Sequence, residues 1–352
     1  MEYRSLGRTG MHVSPLCLGA MMFGAWGEPD HETSVKVIHR ALDAGINFID
    51  TADVYSQGES ETIVGKALAG GRRDDVILAT KVHGQMGVPV DAQLGAQGDP
   101  NRQGNSRRWI IREVEASLRR LNTEWIDLYQ IHRPDPEADH EETLGALTDL
   151  QRQGKIRAFG SSTYPAEEIV EAQWTAERRG LGRFMTEQPP YSMLVRGVEA
   201  DVLPTAQSYG RGVLPWSPLA GGWLTGKYRK GAEQPQSRRA QRIPGRYDLS
   251  DPVNQRKLDA ADRLAALADE LGVPMIHLAI AFVIKHPAVT SAIIGRRTME
   301  HLESQLGAAD VRLTDEVLDK IDEIVPPGVN ISFADRGYAA PSLTDKRLRR
   351  RP

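Results

Sequence analysis

The sequence predicts an α/β fold of the (β/α)8 TIM-barrel class, with an N-terminal β-hairpin before the barrel and extra C-terminal helices after it. Three observations carry this expectation. Eight short apolar runs alternate with amphipathic helical segments, the pattern of parallel strands joined by right-handed crossovers. Polar and titratable residues fall at the C-terminal ends of those runs, the face on which a barrel builds its site. No Gly-x-Gly-x-x-Gly follows a strand, so an open dinucleotide-binding sheet would lack its phosphate turn.

The chain opens with β-like runs at 2–6 and 11–13 around Gly7-Arg8-Thr9-Gly10, which read as a hairpin. The first barrel strand is expected at 16–19. Helix 31–44 then leads to strand 48–52, helix 59–69 to strand 76–82, and helix 107–121 to strand 126–132. Helix 141–153 precedes strand 156–161, helix 166–179 precedes 184–188, and helix 197–209 precedes 213–217. Helices 254–271 and 275–285 lead to the last strand, 291–295, and its helix 299–306; a further helix spans 314–325. One domain over 1–325 and a tail over 326–352 follow, since no break in composition marks a second domain.

Three stretches interrupt the rhythm. Residues 84–105 and 220–252 follow the third and seventh strands and read as lid or wall loops on the active face. The tail ends in Lys346-Arg347-Leu348-Arg349-Arg350-Arg351 and reads as a solvated end.

Composition narrows the function classes. Over 352 residues, 40% hydrophobic and 26% charged content fit a chain able to bury a sizeable core. A formal net charge of −3 argues against nucleic acid or an anionic membrane as partner. Cys17 is the one cysteine, so no disulfide framework and no cysteine metal site is expected. Residues 1–5 carry no signal-like apolar region, and no run is long enough to span a bilayer, which makes a cytoplasmic protein the plain expectation.

The strand ends carry the chemistry. The stretch from Gly45 to Tyr55 reads as a buried strand that ends in Asp50, with Tyr55 on the loop beyond. An acid at a strand end is costly unless paired. Lys81 closes the third strand and His132 the fourth; Ser161-Ser162, Gln188, Trp216-Ser217 and Gly295-Arg296-Arg297 end the rest. Taken singly, each has a bland reading as a snorkelling charge, a satisfied core group or a solvated arginine. Together they gather on one face, where Asp50 would pair with Lys81, Lys81 would favour ionised Tyr55, and His132 would orient a substrate oxygen. One carboxylate and one histidine at the strand ends leave no metal set and no carboxylate pair, which disfavours a barrel hydrolase or lyase.

These residues resemble the aldo-keto reductases. The matching pieces are Gly45-x-Asn47-x-x-Asp50-Thr51-Ala52, Tyr55 with Gly58-x-Ser60-Glu61, Lys81, and Asp127-Leu128-Tyr129-Gln130-Ile131-His132. Gly160-Ser161-Ser162, Gln188-x-x-Tyr191-Ser192, Ser217-Pro218-Leu219, Gly222-x-Leu224-Thr225-Gly226-Lys227-Tyr228 and Ile293-Ile294-Gly295 also match, so the likeness runs over nearly the whole chain. Tyr191-Ser192 and the Leu224–Tyr228 segment are most similar to the potassium-channel-β and sugar-ketone reductase branch.

The resemblance implies NADPH-dependent reduction of a small-molecule aldehyde or ketone. Tyr55 would be the general acid, with Lys81 and Asp50 behind it and His132 polarising the carbonyl. Ser162 and Gln188 would hold the carboxamide and Trp216 would stack on the nicotinamide ring. The cofactor site would further draw on Gly19, Ala20, Met21, Asp50, Ser217, Leu219, Gly221, Lys227, Ile294 and Gly295. Arg297 would meet the 2′-phosphate, with Arg296 the less favoured candidate, and His301, Ser304 and Gln305 would surround the adenine. The chain departs from the family at Thr163, where an asparagine is common, and at His301, Ser304-Gln305 and Trp216. The resemblance also leaves open a regulatory nicotinamide-binding module of channel-β type, and a homo-oligomer.

Overall fold

The computed structural model describes residues 1–90, 98–233, 235, 240–241, 243–295 and 297–348. Strands β1 (Arg4–Ser5) and β2 (His12–Val13) form the expected antiparallel hairpin. Eight parallel strands follow: β3 (Leu16–Gly19), β4 (Phe48–Asp50), β5 (Ile77–Val82), β6 (Ile126–Ile131), β7 (Ile156–Ser162), β8 (Thr186–Gln188), β9 (Gly212–Val213) and β10 (Ala292–Gly295). Their order, β10-β3-β4-β5-β6-β7-β8-β9, places the last strand beside the first. The ring closes where the Thr290 N–H donates to the Val213 carbonyl at 2.9 Å and the Ile293 N–H to that of Pro215 at 2.8 Å. The fold is a (β/α)8 barrel.

Side chains alternate across each strand, so residues two apart share the barrel interior. Cys17, Phe48, Ala79, Leu128, Ala158, Leu214 and Ile293 form an apolar inner layer, closed from below by Leu6 and Val13 of the hairpin. One step higher stand Asp50, Lys81 and Gln130 on β4, β5 and β6, and Trp216 beyond the end of β9. In the register Lys81 stands level with Gln130, and Gln130 with Gly160, while Asp50 stands beside Ala79, two residues before Lys81 on β5. Gly160 is required there, because a Cβ would lie 1.9 Å from Thr186 Oγ1.

Side-chain caps satisfy free N–H groups at some of the helix starts. Asp30 accepts from the Thr33 N–H at 2.8 Å to start helix His31–Asp43, and Ser106 accepts from the Trp109 N–H at 3.3 Å to start Arg107–Leu121. The segment 197–209 differs from expectation. A 3-10 turn, Gly197–Glu199, precedes a short helix, Val202–Ser208, capped by Asp201. Pro204, which fits only a first turn, fixes that late start. Strands β8 and β9 are also shorter than expected. β9 stops short of Pro215, which lacks the N–H that a continuing ladder needs, and single bonds such as Leu214 N–H to Glu187 O at 2.9 Å carry on instead. β8 ends at Gln188 as expected and is shorter at its start, where the Met185 N–H still donates to the Phe159 carbonyl at 2.8 Å.

The tail is only partly a solvated end. The Arg196 N–H donates to the Val329 carbonyl and the Ile331 N–H to that of Leu194, while the Gly197 N–H donates to Asn330 Oδ1. Further on, Asp335 pairs with Lys257 at 2.5 Å, and Gly337 passes so near Trp216 and Thr163 that a Cβ would be 2.8 Å from each. The basic end at 346–348 is exposed, and residues 349–352 lie outside the described residues.

Candidate active site

The ends of β4, β5 and β6 converge. Lys81 is fully buried and donates to Asp50 Oδ2 at 2.5 Å, to the Thr51 carbonyl at 2.8 Å and to the Tyr55 hydroxyl at 3.3 Å. Burial works against the lysine's charge, but Asp50, then Tyr55, and hydrogen bonds to both outweigh it and raise its pKa above the usual value. The His132 ring meets Tyr55 edge-on at 5.7 Å between centroids. Burial, then the charges of Arg133 and Lys81, hold His132 well below the usual imidazole range, so it stays neutral at pH 7.

Asp50 has a second side. Its Oδ1 accepts from Gln130 Nε2 and Gln188 Nε2, each at 3.0 Å, and the two amides bond to each other at 3.1 Å. The buried carboxylate is thereby fully satisfied. Gln130 was not singled out from sequence, although it sits inside a quoted motif; an amide has no titratable signature to draw attention. Arg133 was missed as well. Its Nη1 donates to the His132 carbonyl at 2.6 Å and to Thr163 Oγ1 at 3.0 Å, and its guanidinium faces the Trp216 ring at 5.7 Å. Trp26, from the loop after β3, reaches the other side of Tyr55 at 6.2 Å.

Backbone strain gathers on this face. Among the described residues seven non-glycines have positive φ, and six of them lie in loops at the strand ends: Ser56, Gln57, His83, Thr163, Ser217 and Ala220. Each such residue costs about 1–3 kcal/mol, so surrounding bonds must hold it. Ser56 Oγ accepts the Trp26 N–H at 3.1 Å, and Gln57 spans to the Gln85 carbonyl and the Gly87 N–H.

The remaining expected residues form an arc around the barrel mouth. Gly19 and Ala20 lie at the end of β3, where the Ala20 N–H donates to the Asp50 carbonyl at 2.8 Å, and half-buried Met21 follows. Ser162 Oγ donates to the Gln188 carbonyl at 3.0 Å. Ser217, Leu219, Ala220 and Gly221 make a tight turn whose Gly221 carbonyl accepts from Tyr247, and Lys227 is exposed beyond it. Ile294 is buried and Gly295 open, with nothing within 4 Å of a built Cβ. Helix Met299–Leu306 starts just after, capped by Thr298, and Arg297 has no hydrogen-bond or ion-pair partner among the described residues. Gln305 is buried and donates to the Gly295 and His301 carbonyls, while Ser304 Oγ donates to that of His301. Arg296 lies outside the described residues.

A barrel whose strand ends carry a buried lysine–carboxylate pair, a tyrosine and a neutral histidine belongs to the barrel enzymes that work at their C-terminal face. The model of the Aldo/keto reductase family matches residues 15–326. The chain is 40% identical to the "Uncharacterized oxidoreductase YrpG" of Bacillus subtilis, over 93% of this chain and 97% of that one. It is 37% identical to a "Probable voltage-gated potassium channel subunit beta" of Arabidopsis thaliana, over 92% and 97%. With the "Versiconal hemiacetal acetate reductase" of Aspergillus parasiticus it shares 35%, over 93% and 98%. The chain belongs to the aldo/keto reductase family and is an oxidoreductase. No single helix among the described residues is long and apolar enough to cross a membrane.

Proposed function

We propose that the protein reduces aldehydes or ketones with NADPH, using Tyr55 as the general acid. The observation that carries this reading is the bonded series Asp50–Lys81–Tyr55 with the neutral His132 ring against the phenol. When bound, the reduced nicotinamide supplies the hydride. Tyr55 gives its hydroxyl proton to the developing alkoxide, and the Lys81 ammonium stabilises the phenolate left behind. His132 donates a hydrogen bond to the same oxygen, and Asp50 keeps Lys81 in place.

The residues around the mouth fit such a cofactor. The run of positive φ at Ser217, Ala220, Gly221 and Gly222 shapes a backbone concavity suited to a pyrophosphate. Trp216 offers a half-exposed ring for stacking. Arg133 adds a donor beside Thr163, where the family's amide is missing. The open Gly295 turn, the helix start at Thr298 and Arg297, which has no partner among the described residues, suit a phosphate on the ribose. Mixing the protein with NADPH and a panel of small aldehydes should consume the cofactor's absorbance only when both are present. A panel that leaves NADPH untouched, with cofactor binding verified by fluorescence, would count against reduction and for a binding module.

A further inference from the structure

Asp53 stands in the chain between Asp50 and Tyr55, two residues of the proposed relay, and the relay does not use it. Its side chain is fully buried. Oδ1 accepts from the Val54 N–H at 2.6 Å, which closes the turn toward Tyr55. The Asp53 N–H donates to the Lys81 carbonyl at 3.2 Å, tying that turn to the strand of the buried lysine. Oδ2 has no hydrogen-bond partner among the described residues, and neither has the buried Tyr129 hydroxyl of β6.

The charged groups around Asp53 come from two helices. Glu61 lies on helix Glu59–Leu68, and Glu113 and Arg120 lie on helix Arg107–Leu121. Arg120 donates to Glu61 at 2.6 Å and to Glu113 at 2.5 Å, and Thr80 Oγ1 donates to Glu61 at 2.6 Å. The one guanidinium is thus committed to two glutamates, and Asp53 is a third carboxyl with no cation of its own. Burying such a surplus negative charge is costly, and holding a proton removes the cost. Burial first, then Glu113 and Glu61, push Asp53 well above the ordinary carboxylate range. No group of three acidic or histidine side chains among the described residues is placed to share a metal ion.

We propose that Asp53 is a positioning residue of the reaction: its neutral carboxyl closes the Asp50–Tyr55 turn at the Val54 N–H, and its backbone N–H ties that closed turn to the strand of Lys81, so that the phenol meets the ammonium. The proposal rests on Tyr55 being the acid. An ionised Asp53, or a carboxyl that merely fills space, makes different demands on substitution.

The test compares Asp53→Asn, Asp53→Ala and Tyr55→Phe in the full-length protein, with NADPH and one aldehyde that the wild type reduces. Asparagine keeps the shape and the acceptor without charge, so its kcat should stay within about threefold of wild type. Alanine frees the turn and should lower kcat roughly 10–100-fold with KM and NADPH affinity little changed, as a misplacement near 1 Å does. Stability gives a second readout. An unfolded aspartate releases its proton near pH 4, whereas the folded Asp53 keeps it, so the wild type's Tm should fall relative to Asp53→Asn as pH rises from about 5 to 8. Asparagine as damaging as alanine, alanine with wild-type kcat, or parallel Tm profiles for wild type and Asp53→Asn would each overturn the proposal. Should alanine fail to fold, the kcat of Asp53→Asn together with the pH comparison still tests the proposal. A fully active Tyr55→Phe would instead refute the acid reading itself, which keeps the two failures apart.

Discussion

The lower and upper layers of the barrel interior are built by the same strands, two residues apart, yet they differ in kind. Phe48, Ala79, Leu128 and Leu214 give way one step higher to Asp50, Lys81, Gln130 and Trp216. The lower layer needs only shape and apolar area, so the hairpin can close it with Leu6 and Val13. In the upper layer buried polar atoms need partners, and the Asp50 carboxylate alone takes three side-chain donors, while the buried Trp216 Nε1 has none among the described residues. Stability and chemistry are stacked along one axis, with less than 7 Å of strand rise between them.

Substitutions should separate the layers. The largest effect is expected at the top. Tyr55→Phe should lower kcat by about 10²–10⁴-fold with unfolding free energy within roughly 1 kcal/mol of wild type, because its hydroxyl makes one 3.3 Å bond to Lys81. Lys81→Met should lose as much activity and also about 3–5 kcal/mol of stability, since it leaves Asp50 buried and unpaired. Steady-state rates beside urea denaturation would test both. Equal stability losses in the two variants would break the contrast.

In the layer below, Leu128→Ala should cost about 2–5 kcal/mol of stability while kcat/KM of the folded protein stays within about threefold. A kcat loss like that of Tyr55→Phe would show that the lower layer shapes the chemistry after all. The smallest effect belongs to the rim, outside both layers. Arg297→Ala should weaken NADPH roughly 10–100-fold and leave NADH nearly unchanged, as expected for one lost charge-assisted bond. Equal losses for the two cofactors, in a fluorescence titration, would make Arg297 structural.

The sequence made the apolar period and the titratable strand ends readable, and helices Arg107–Leu121, Ala166–Arg179, Met275–Lys285 and Met299–Leu306 fall where their periodicity puts them. Asp50, Lys81, Tyr55 and His132 do come together. Gln130 and Arg133 escaped notice because their roles arise from neighbours on other strands, at β4 and β7, which spacing along one strand does not reveal. Asp53 escaped for a related reason: its surplus charge is visible only once Glu61, Glu113 and Arg120 are brought beside it. The late start of helix Val202–Ser208 and the early end of β9 trace to prolines whose local veto outweighs apolar pattern.

Closure of the ring has a consequence for how the molecule is made. β10 pairs with β3, which joins the last barrel strand synthesised to the first. Until Ala292–Gly295 leaves the ribosome, the growing sheet presents two open edges able to pair with other chains. Nearly the whole chain must therefore exist before those edges can meet, and the β10–β3 seam is the barrel's most non-local strand pairing.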